Sequence, residues 1–284
     1  MDMQANDKKS RILITGSKGF IATNMISYLR EVFLVDGFEW GENYPDLRKY
    51  DLVIHLGAIA DMTEMDVDKV MEQNLEFSKD LFRDCSFVGV PLQYASSSSV
   101  YGNTDQFSED SPVAPQTPYA WSKYLFDRWV FKQPHSMKVQ GFRYFNVFGH
   151  QMGLRQKRAS AIHKWFKQAK EEGQISVWED ADQIFRDWTC VDDVCKIHHR
   201  FMLYTKSGIW NVGPGNPYSF LEIAQAIADQ TGAKIHRHKM PKEEQTRFRQ
   251  TTAADIKSLN YAIGKQSWTD VIDWIKNSDY ASQI

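Results

Sequence analysis

Tyr119 and Lys123 are the two residues whose types and spacing point most directly to chemistry. They stand four positions apart in the segment YAWSK, and Pro118 before them suits the first turn of a helix. Side chains four apart on a helix share one face, so the lysine ammonium can lie beside the phenol. A free phenol has a pKa of about 10, and a nearby cation favours its ionised form. Tyr119 is therefore a candidate general acid and base, although a packing tyrosine beside a solvated lysine has the same spacing.

A glycine turn near the start of the chain could hold a dinucleotide. The segment TGSKGFIA places Gly16 and Gly19 between a β-rich run, RILIT, and a segment with helical periodicity. Glycines at these positions allow a tight turn and let backbone N–H groups approach a pyrophosphate at the helix N-terminus. An ordinary strand–helix turn has the same spacing, so the motif by itself leaves both interpretations open.

Asp36 strengthens the dinucleotide interpretation. It ends the β-like run EVFLVD, twenty residues after Gly16, where a carboxylate can accept hydrogen bonds from the adenosine ribose. A carboxylate there repels the 2′-phosphate of NADP, so the sequence favours NAD slightly over NADP. Arg48 or Lys49 could compensate for that repulsion, which keeps NADP open.

The elements that must position these residues are short apolar strands alternating with amphipathic helices. This alternation indicates βαβ units and a doubly wound parallel sheet of the Rossmann type. From about residue 149 the alternation loosens, which predicts a smaller C-terminal α/β lobe that binds the substrate. We therefore expect a dinucleotide-binding domain at 1–148 plus 188–212 and a substrate-binding lobe at 149–187 plus 213–284. The predicted strands cover 11–15, 31–36, 51–58, 90–97, 138–144 and 208–212, and the main predicted helices cover 19–30, 66–85, 118–133, 159–171, 192–204 and 219–231.

The composition limits the classes of partner. A formal charge of -2 gives no electrostatic reason for binding nucleic acid or an anionic membrane. No stretch reaches the roughly 18 apolar residues of a membrane span, and the polar start MDMQANDKKS lacks the apolar region of a signal peptide. Three cysteines in 284 residues make no disulfide framework. We expect a cytoplasmic protein with reduced thiols and no metal site, because the paired histidines lack partners at metal-ligand spacing.

Four motifs in this order resemble the extended short-chain dehydrogenase family, whose members modify nucleotide sugars: TGxxGF, YASSSSVYG, YxxxK and RYFNVFG. The resemblance implies that Ser97 hydrogen-bonds the reacting sugar oxygen and that Asn146 contacts the substrate diphosphate. Ser98, which would also contact substrate, and Ser99 stand where 4,6-dehydratases carry Asp-Glu, which favours an epimerase or a reductase. The resemblance also implies cofactor contacts at Gly16, Lys18, Gly19, Phe20, Ile21, Asp36, Leu56, Gly57, Ala58, Asn74, Tyr119 and Lys123.

A narrower resemblance, to the ADP-glycero-manno-heptose 6-epimerases, extends over nearly the whole chain. It implies that Asn74 touches the cofactor and that Arg186 and Arg247 bind the substrate phosphates. Arginine suits a diphosphate because its planar fork donates two parallel hydrogen bonds. For Arg186, an ion pair with the adjacent Asp187 is the structural alternative. The segments that carry this resemblance are ADMTEMD (60–66), NLEFSKDLFRDC (74–85), GFRYFNVFG (141–149), FRDWTCVDDV (185–194), SGIWNVGPGNPYSF (207–220) and RFRQTTAADI (247–256).

Two departures from these epimerases stand out. Only about fourteen residues separate Asp36 from the strand at 51–56, where the family has an additional strand and helix, so the adenine side of the cofactor pocket must be abbreviated. The family also carries a second catalytic lysine after its FNVYG motif. By counting, that position here is Arg155, which cannot lose a proton and would serve in substrate binding. Lys157, two residues further on, is the candidate that could act as the second base.

The resulting expectation is an NAD(P)-dependent nucleotide-sugar epimerase that works through a transient carbonyl. Tyr119 would take a hydroxyl proton while a hydride moves to the nicotinamide, and the carbonyl would then be reduced from the opposite face. A nucleotide-sugar ketoreductase or 4-epimerase is the first alternative, and a non-catalytic cofactor-sensing subunit is the second. We also expect a homo-oligomer.

Overall fold

The computed structural model describes residues 9–153, 159–242 and 251–284. Its strands are β1 (Arg11–Thr15), β2 (Leu34–Phe38), β3 (Leu52–His55), β4 (Leu92–Ser97), β5 (Val139–Tyr144), β6 (Val147–Phe148), β7 (Gln174–Trp178), β8 (Phe185–Arg186), β9 (Thr189–Cys190), β10 (Gly208–Val212), β11 (Tyr218–Ser219) and β12 (Lys234–His238). Six of them form one parallel sheet in the order β2-β1-β3-β4-β5-β10. The chain leaves β1 towards one edge and continues from β3 towards the other, so the sheet has a switch point between β1 and β3. Ligands of doubly wound sheets bind in the crevice at such a point.

Helices cover both faces of this sheet. They are α1 (Phe20–Leu29), α2 (Val67–Val70), α3 (Phe77–Val88), α4 (Pro118–Val130), α5 (Ala161–Glu172), α6 (Val191–Leu203), α7 (Phe220–Thr231), α8 (Lys257–Ile263), α9 (Val271–Asn277) and α10 (Tyr280–Gln283). Successive side chains of a strand point to opposite faces. Ile12 and Ile14 accordingly pack in the cluster of α1 and α6, whereas Leu13 packs in the cluster of α3 and α4. Both faces are buried, which confirms the predicted doubly wound α/β fold.

A second hydrophobic cluster lies beside the main sheet. The parallel pair of β7 and β12 packs with α5, α7 and α9 around fully buried side chains such as Phe166, Ile227 and Ile275. All five of these elements come from the C-terminal half of the chain. Helix α8 differs, because its Leu259 packs in the cluster of α1 and α6 on the main sheet.

The region between β2 and β3 is as short as the sequence indicated. Its helical content is a single 3-10 turn, Leu47–Lys49, so the abbreviated connection is confirmed. The position of β2 corrects the prediction, because the strand begins at Leu34 and continues through Gly37 to Phe38 instead of ending at Asp36. The predicted helix at 66–85 is also found, with a π-helical turn, Met71–Glu76, between α2 and α3.

Two features of the described residues bear on possible partners. No helix among them is long and apolar enough to cross a membrane. No group of three or more histidine, cysteine, aspartate or glutamate residues there could hold a metal ion. The three cysteines are buried and unpaired with one another.

Candidate active site

The glycine turn lies at the switch point of the sheet. Gly16 has a φ of 69°, and its N–H donates to the carbonyl of Phe38 at 2.8 Å, so the turn follows β1 directly and touches the end of β2. A Cβ on Gly16 would come within 2.4 Å of the Gly57 Cα, in the loop that follows β3. Gly19 is the N-cap residue of α1. It has no side chain, so it makes no capping hydrogen bond to the first N–H groups of the helix. Close backbone approach and an uncapped helix N-terminus are the features that receive a pyrophosphate.

The acidic residue at this turn is Glu39, which the sequence analysis missed. Asp36 pairs with Leu13 in the middle of the strand, and its Oδ2 lies 2.6 Å from Arg11 Nε at the far end of β1. This ion pair holds the pKa of Asp36 below its usual value. Glu39 instead follows β2, and its Oε1 accepts hydrogen bonds from the Lys18 N–H and, at 3.4 Å, from the Ser17 hydroxyl. Glu39, and not Asp36, therefore lies at the glycine turn, because β2 ends three residues later than its apolar run suggests.

A buried chain of hydrogen bonds connects the end of β1 to α3. His55, at the end of β3, contacts the Thr15 hydroxyl through Nδ1 at 2.6 Å and the Ser78 hydroxyl through Nε2 at 2.8 Å. Ser78 donates its hydroxyl hydrogen to the carbonyl of Asn74, so it can only accept from His55, which fixes the tautomer with the hydrogen on Nε2. Burial, together with the positive charge of Lys123, lowers the pKa of His55 to about 3. The imidazole is therefore neutral at physiological pH.

Asn74 lies inside the protein, where its amide bonds to the loop after β3 and to α4. Its Oδ1 accepts from the Ile59 N–H at 2.7 Å, and its Nδ2 donates to the Ile59 carbonyl at 3.0 Å and to the Ser122 hydroxyl at 3.1 Å. The residue is 1% exposed, and both hydrogens of the amide are used. The cofactor contact expected for Asn74 stays a prediction, and in this structure its amide bonds within the protein. Asn74 fixes the loop of Leu56, Gly57 and Ala58 against α4.

The predicted catalytic pair is brought to the strand that carries the serines. Thr117 caps α4 by accepting from the Ala120 N–H at 3.2 Å, and Pro118 begins the helix. Lys123 is 5% exposed, and its Nζ donates to the Ala95 carbonyl at 2.9 Å, two residues before Ser97 on β4. Tyr119 lies one turn before Lys123 and is half-buried. This buried hydrogen bond joins α4 to β4, and it excludes the interpretation of Lys123 as a solvated lysine.

Ser97 stands where β4 passes into the 3-10 turn Ser98–Tyr101. Its Oγ accepts from the Ser99 N–H at 3.2 Å and from the Ser99 hydroxyl at 2.9 Å, so it is the acceptor in both bonds. Ser98 is half-buried on the same turn. Ser99 therefore holds the Ser97 oxygen in place, which is a structural use for one of the two serines that replace the dehydratase carboxyls.

The predicted substrate residues of the other half lie around Asp187. Asn146 is exposed and donates from Nδ2 to the Asp187 carbonyl at 3.2 Å. The Asp187 carboxylate does not face solvent, since its Oδ2 accepts from the N–H groups of Gly215 and Ala254, each at 2.9 Å. Burial raises the pKa of Asp187 to about 6 although these N–H groups oppose the shift. Arg186 is 8% exposed, and its guanidinium lies 5.3 Å from the centre of the Phe220 ring.

Three predicted residues, Arg155, Lys157 and Arg247, lie outside the described residues. Apart from Asp36, Asn74, Asn146 and Arg186, whose places are given above, the other predicted residues occur in two groups. One group surrounds the glycine turn, with Gly16, Lys18, Gly19, Phe20, Ile21, Leu56, Gly57 and Ala58. The other lies on α4 and at the end of β4, with Ser97, Ser98, Tyr119 and Lys123.

Comparison with known proteins shows which protein family the chain belongs to. The profile of the NAD dependent epimerase/dehydratase family matches residues 38–213. The chain is 32% identical to the ADP-L-glycero-D-manno-heptose-6-epimerase of Brachyspira hyodysenteriae, over 88% of this chain and 91% of that protein. It is 30% identical to the enzyme of the same name from Alkalilimnicola ehrlichii, over 94% of this chain and 95% of that one. The chain belongs to the NAD dependent epimerase/dehydratase family.

A solved structure supports the fold of this epimerase-family chain. The crystal structure of Helicobacter pylori ADP-L-glycero-D-manno-heptose-6-epimerase superimposes with a TM-score of 0.86 at 24% identity, and the match covers 97% of both chains. The family, the enzyme class and the nicotinamide dinucleotide cofactor expected from the motifs are confirmed. The glycine turn fits such a cofactor, since α1 begins at Gly19 without a side-chain cap and its N-terminus can accept a pyrophosphate.

Proposed function

We propose that this protein is an NAD-dependent nucleotide-sugar epimerase that inverts a carbon of an ADP-linked heptose, as the names of its relatives suggest. The observation that carries the proposal is the Lys123–Ala95 hydrogen bond, which holds the face of α4 bearing Tyr119 against the strand that ends in Ser97. A proton acceptor, a cation and a hydrogen-bonding hydroxyl then surround one position where a sugar oxygen can bind.

The cofactor side of the proposal rests on the glycine turn and Glu39. The N–H groups at the start of α1 would hold the pyrophosphate, and the Glu39 carboxylate would accept hydrogen bonds from the adenosine ribose. A carboxylate at this place favours NAD over NADP, because it repels a 2′-phosphate. Trp40, the next residue, is half exposed and packs edge-on against Phe77, with 5.1 Å between the ring centres, so we place the adenine beside it. When bound, the nicotinamide would supply reversible hydride transfer with the sugar carbon.

The protein's own residues manage the protons. Tyr119 takes the proton of the sugar hydroxyl as the carbonyl forms, which requires its phenol to ionise readily. The new hydroxyl receives its proton from the opposite side of the carbonyl, and exchange with solvent restores both protein groups between turnovers. Lys123 lowers the cost of that ionisation by placing a positive charge on the same helix face. Ser97 hydrogen-bonds the same sugar oxygen and stabilises it in both protonation states.

Epimerisation also requires that both faces of the carbonyl be served. Lys157 is our candidate for proton transfer on the side opposite Tyr119, because a desolvated lysine can lose its proton and an arginine cannot. Arg155 and Arg247 are proposed to bind the substrate diphosphate. Asn146, Arg186 and Ser98 complete the proposed substrate contacts.

Tyr119→Phe tests the proposal. The ring still packs, so we expect unchanged dinucleotide binding and a loss of turnover by several orders of magnitude, measured as epimerised sugar nucleotide by NMR. Tyr124→Phe, on the same helix, is the matched control and should retain turnover. Nicotinamide absorbance distinguishes the alternatives, since an epimerase gives no net change and a ketoreductase consumes NADPH. Wild-type turnover in Tyr119→Phe would refute the assignment, and absence of any turnover in the wild type would favour the cofactor-sensing alternative.

Location, assembly and domain division are further parts of the proposal. We propose a cytoplasmic protein, which is consistent with three buried thiols that form no disulfide. We propose a homo-oligomer, since α4 leaves Trp121 and Leu125 partly exposed. We keep the division into 1–148 plus 188–212 for the cofactor and 149–187 plus 213–284 for the substrate, which size-exclusion chromatography and limited proteolysis can test together with the oligomeric state.

A further inference from the structure

A buried carboxylate occupies the same helix as the proposed catalytic pair. Asp127 follows Lys123 by four residues on α4 and is 3% exposed. Its Oδ1 accepts from the Tyr94 hydroxyl at 3.0 Å, and its Oδ2 accepts from the Ser96 hydroxyl at 2.9 Å and from Arg143 Nε at 3.0 Å. Three donors from two neighbouring strands therefore converge on one side chain of the helix.

These contacts surround the point where Lys123 binds β4. Tyr94 and Ser96 are the neighbours of Ala95, whose carbonyl accepts from Lys123 Nζ at 2.9 Å. Asp127 and Lys123 thus hold three consecutive residues of β4 between them. Asp127 binds the side chains of the two outer residues, and Lys123 binds the backbone carbonyl of the middle one. Sliding α4 along the strand would break both sets of bonds at once.

Arg143 extends the arrangement to the turn after Ser97. One of its terminal nitrogens donates to the Tyr101 hydroxyl at 3.1 Å and to the Glu109 carbonyl at 3.2 Å, and its guanidinium lies 5.1 Å from the centre of the Tyr101 ring. Tyr101 ends the 3-10 turn and donates to Asn211 Oδ1 on β10 at 2.7 Å. The position of the Ser97 turn is therefore fixed from the same ion pair.

We propose that the buried Asp127–Arg143 ion pair is a positioning device for the reaction, which sets the helix of Tyr119 and Lys123 against the strand and turn of Ser97. The inference rests on the proposed function, because it assigns the pair to that chemistry. Neither residue reaches the sugar oxygen in this scheme, so both act through the residues they hold.

Stability alone does not account for such a pair. Burying two charges costs free energy that their attraction often only balances, and apolar side chains of similar volume are frequently as stable or more so. Directional bonds, in contrast, specify one arrangement, which is a property that an apolar contact lacks. Gly141 on β5 adds support, since a Cβ there would come within 2.4 Å of the Tyr94 ring and would displace the phenol that reaches Asp127.

Three variants separate positioning from stability. Asp127→Asn keeps the shape and removes the charge, and Arg143→Lys keeps the charge and removes the fork. For both variants we expect kcat to fall at least about tenfold. Dinucleotide affinity and KM should stay within about twofold of the wild-type values, because the variants disturb the geometry of the transition state and not the binding of the ground state. The lower pH limit of the kcat profile should move to higher pH as Lys123 is held less firmly. Asp127→Leu combined with Arg143→Met should recover thermal stability without recovering kcat.

The control is Tyr280→Phe, which removes a buried 2.6 Å hydrogen bond to His163 outside the main sheet. It should lower the melting temperature and leave kcat and its pH profile unchanged. Wild-type kcat in Asp127→Asn, or recovery of kcat together with stability in the apolar double variant, would overturn the positioning role. If Asp127→Asn does not fold, the double variant and Arg143→Lys decide by the same criteria. The two proposals can fail independently. An active Tyr119→Phe variant would refute the proposed function. An inactive Tyr119→Phe variant together with a fully active Asp127→Asn variant would refute only the positioning role.

Discussion

Gly16→Ala tests whether the glycine turn is built around close backbone approach. A Cβ at this position would lie 2.4 Å from the Gly57 Cα and 2.6 Å from the Gly57 nitrogen, where ordinary contact begins at about 3.4 Å. The Gly57 backbone cannot rotate away from this Cβ, so the loops after β1 and β3 must separate. We expect this overpacking to lower the free energy of unfolding by about 1–3 kcal/mol. The φ of 69° adds about 1–2 kcal/mol for any residue other than glycine. We therefore expect the free energy of unfolding to fall by about 2–5 kcal/mol in total.

Gly89→Ala supplies the control that isolates the first contribution. Gly89 has a φ of 76° at the end of α3, and a Cβ there would meet nothing within 4 Å. It should therefore cost only the contribution from φ and leave NAD affinity unchanged. Urea unfolding measures both free energies, and calorimetric titration measures NAD binding. If Gly16→Ala is no less stable than Gly89→Ala and binds NAD equally well, the close approach of the two loops is not what requires glycine.

Two further predictions concern the corrected cofactor contact and the second base. Glu39→Ala should lower NAD affinity about tenfold, the scale of one charge-assisted hydrogen bond, and should reduce the ratio of NAD affinity to NADP affinity. Asp36→Ala should leave that ratio unchanged. If titrations with both dinucleotides give the reverse pattern, Asp36 and not Glu39 is the ribose contact. Lys157→Met should impair inversion with cofactor affinity intact, whereas Arg155→Met should mainly raise KM; a raised KM with unchanged kcat in both would indicate a basic loop that only attracts the diphosphate.

The sequence located the sheet well and the end of β2 poorly, for a physical reason. Apolar runs such as LVIH and RILIT mark buried strands because both faces of the sheet are covered. In β2 the apolar run stops at Val35, but pairing with β1 continues until Thr15 lies opposite Phe38. Register along a neighbouring strand is a tertiary property. The acidic residue at the glycine turn could therefore be identified only once that register was known.

Buried polar residues were the other feature that the sequence concealed. Asp127 lies in FDRW on an amphipathic helix, where a carboxylate ordinarily faces solvent. Its partners come from β4 and β5, and no local pattern connects residues of three elements. His55 gave a weak signal, as a polar residue closing an apolar strand. The motifs thus predicted candidate ligand-contacting residues, whereas the residues that hold these candidates in place could be identified only from the fold.

The hydrogen bond between Glu39 and the Lys18 N–H carries a consequence for cofactor choice. One N–H cannot serve both this carboxylate and a phosphate, so in the proposed complex the pyrophosphate takes the donor and Glu39 must find another. The two ribose hydroxyls of NAD supply such donors, and the exchange leaves no acceptor unsatisfied. NADP offers a phosphate in place of one of the two hydroxyls, so Glu39 would lose one of these donors and would also face a negative charge. Preference for NAD then follows from exchange of donors at the turn, as well as from repulsion.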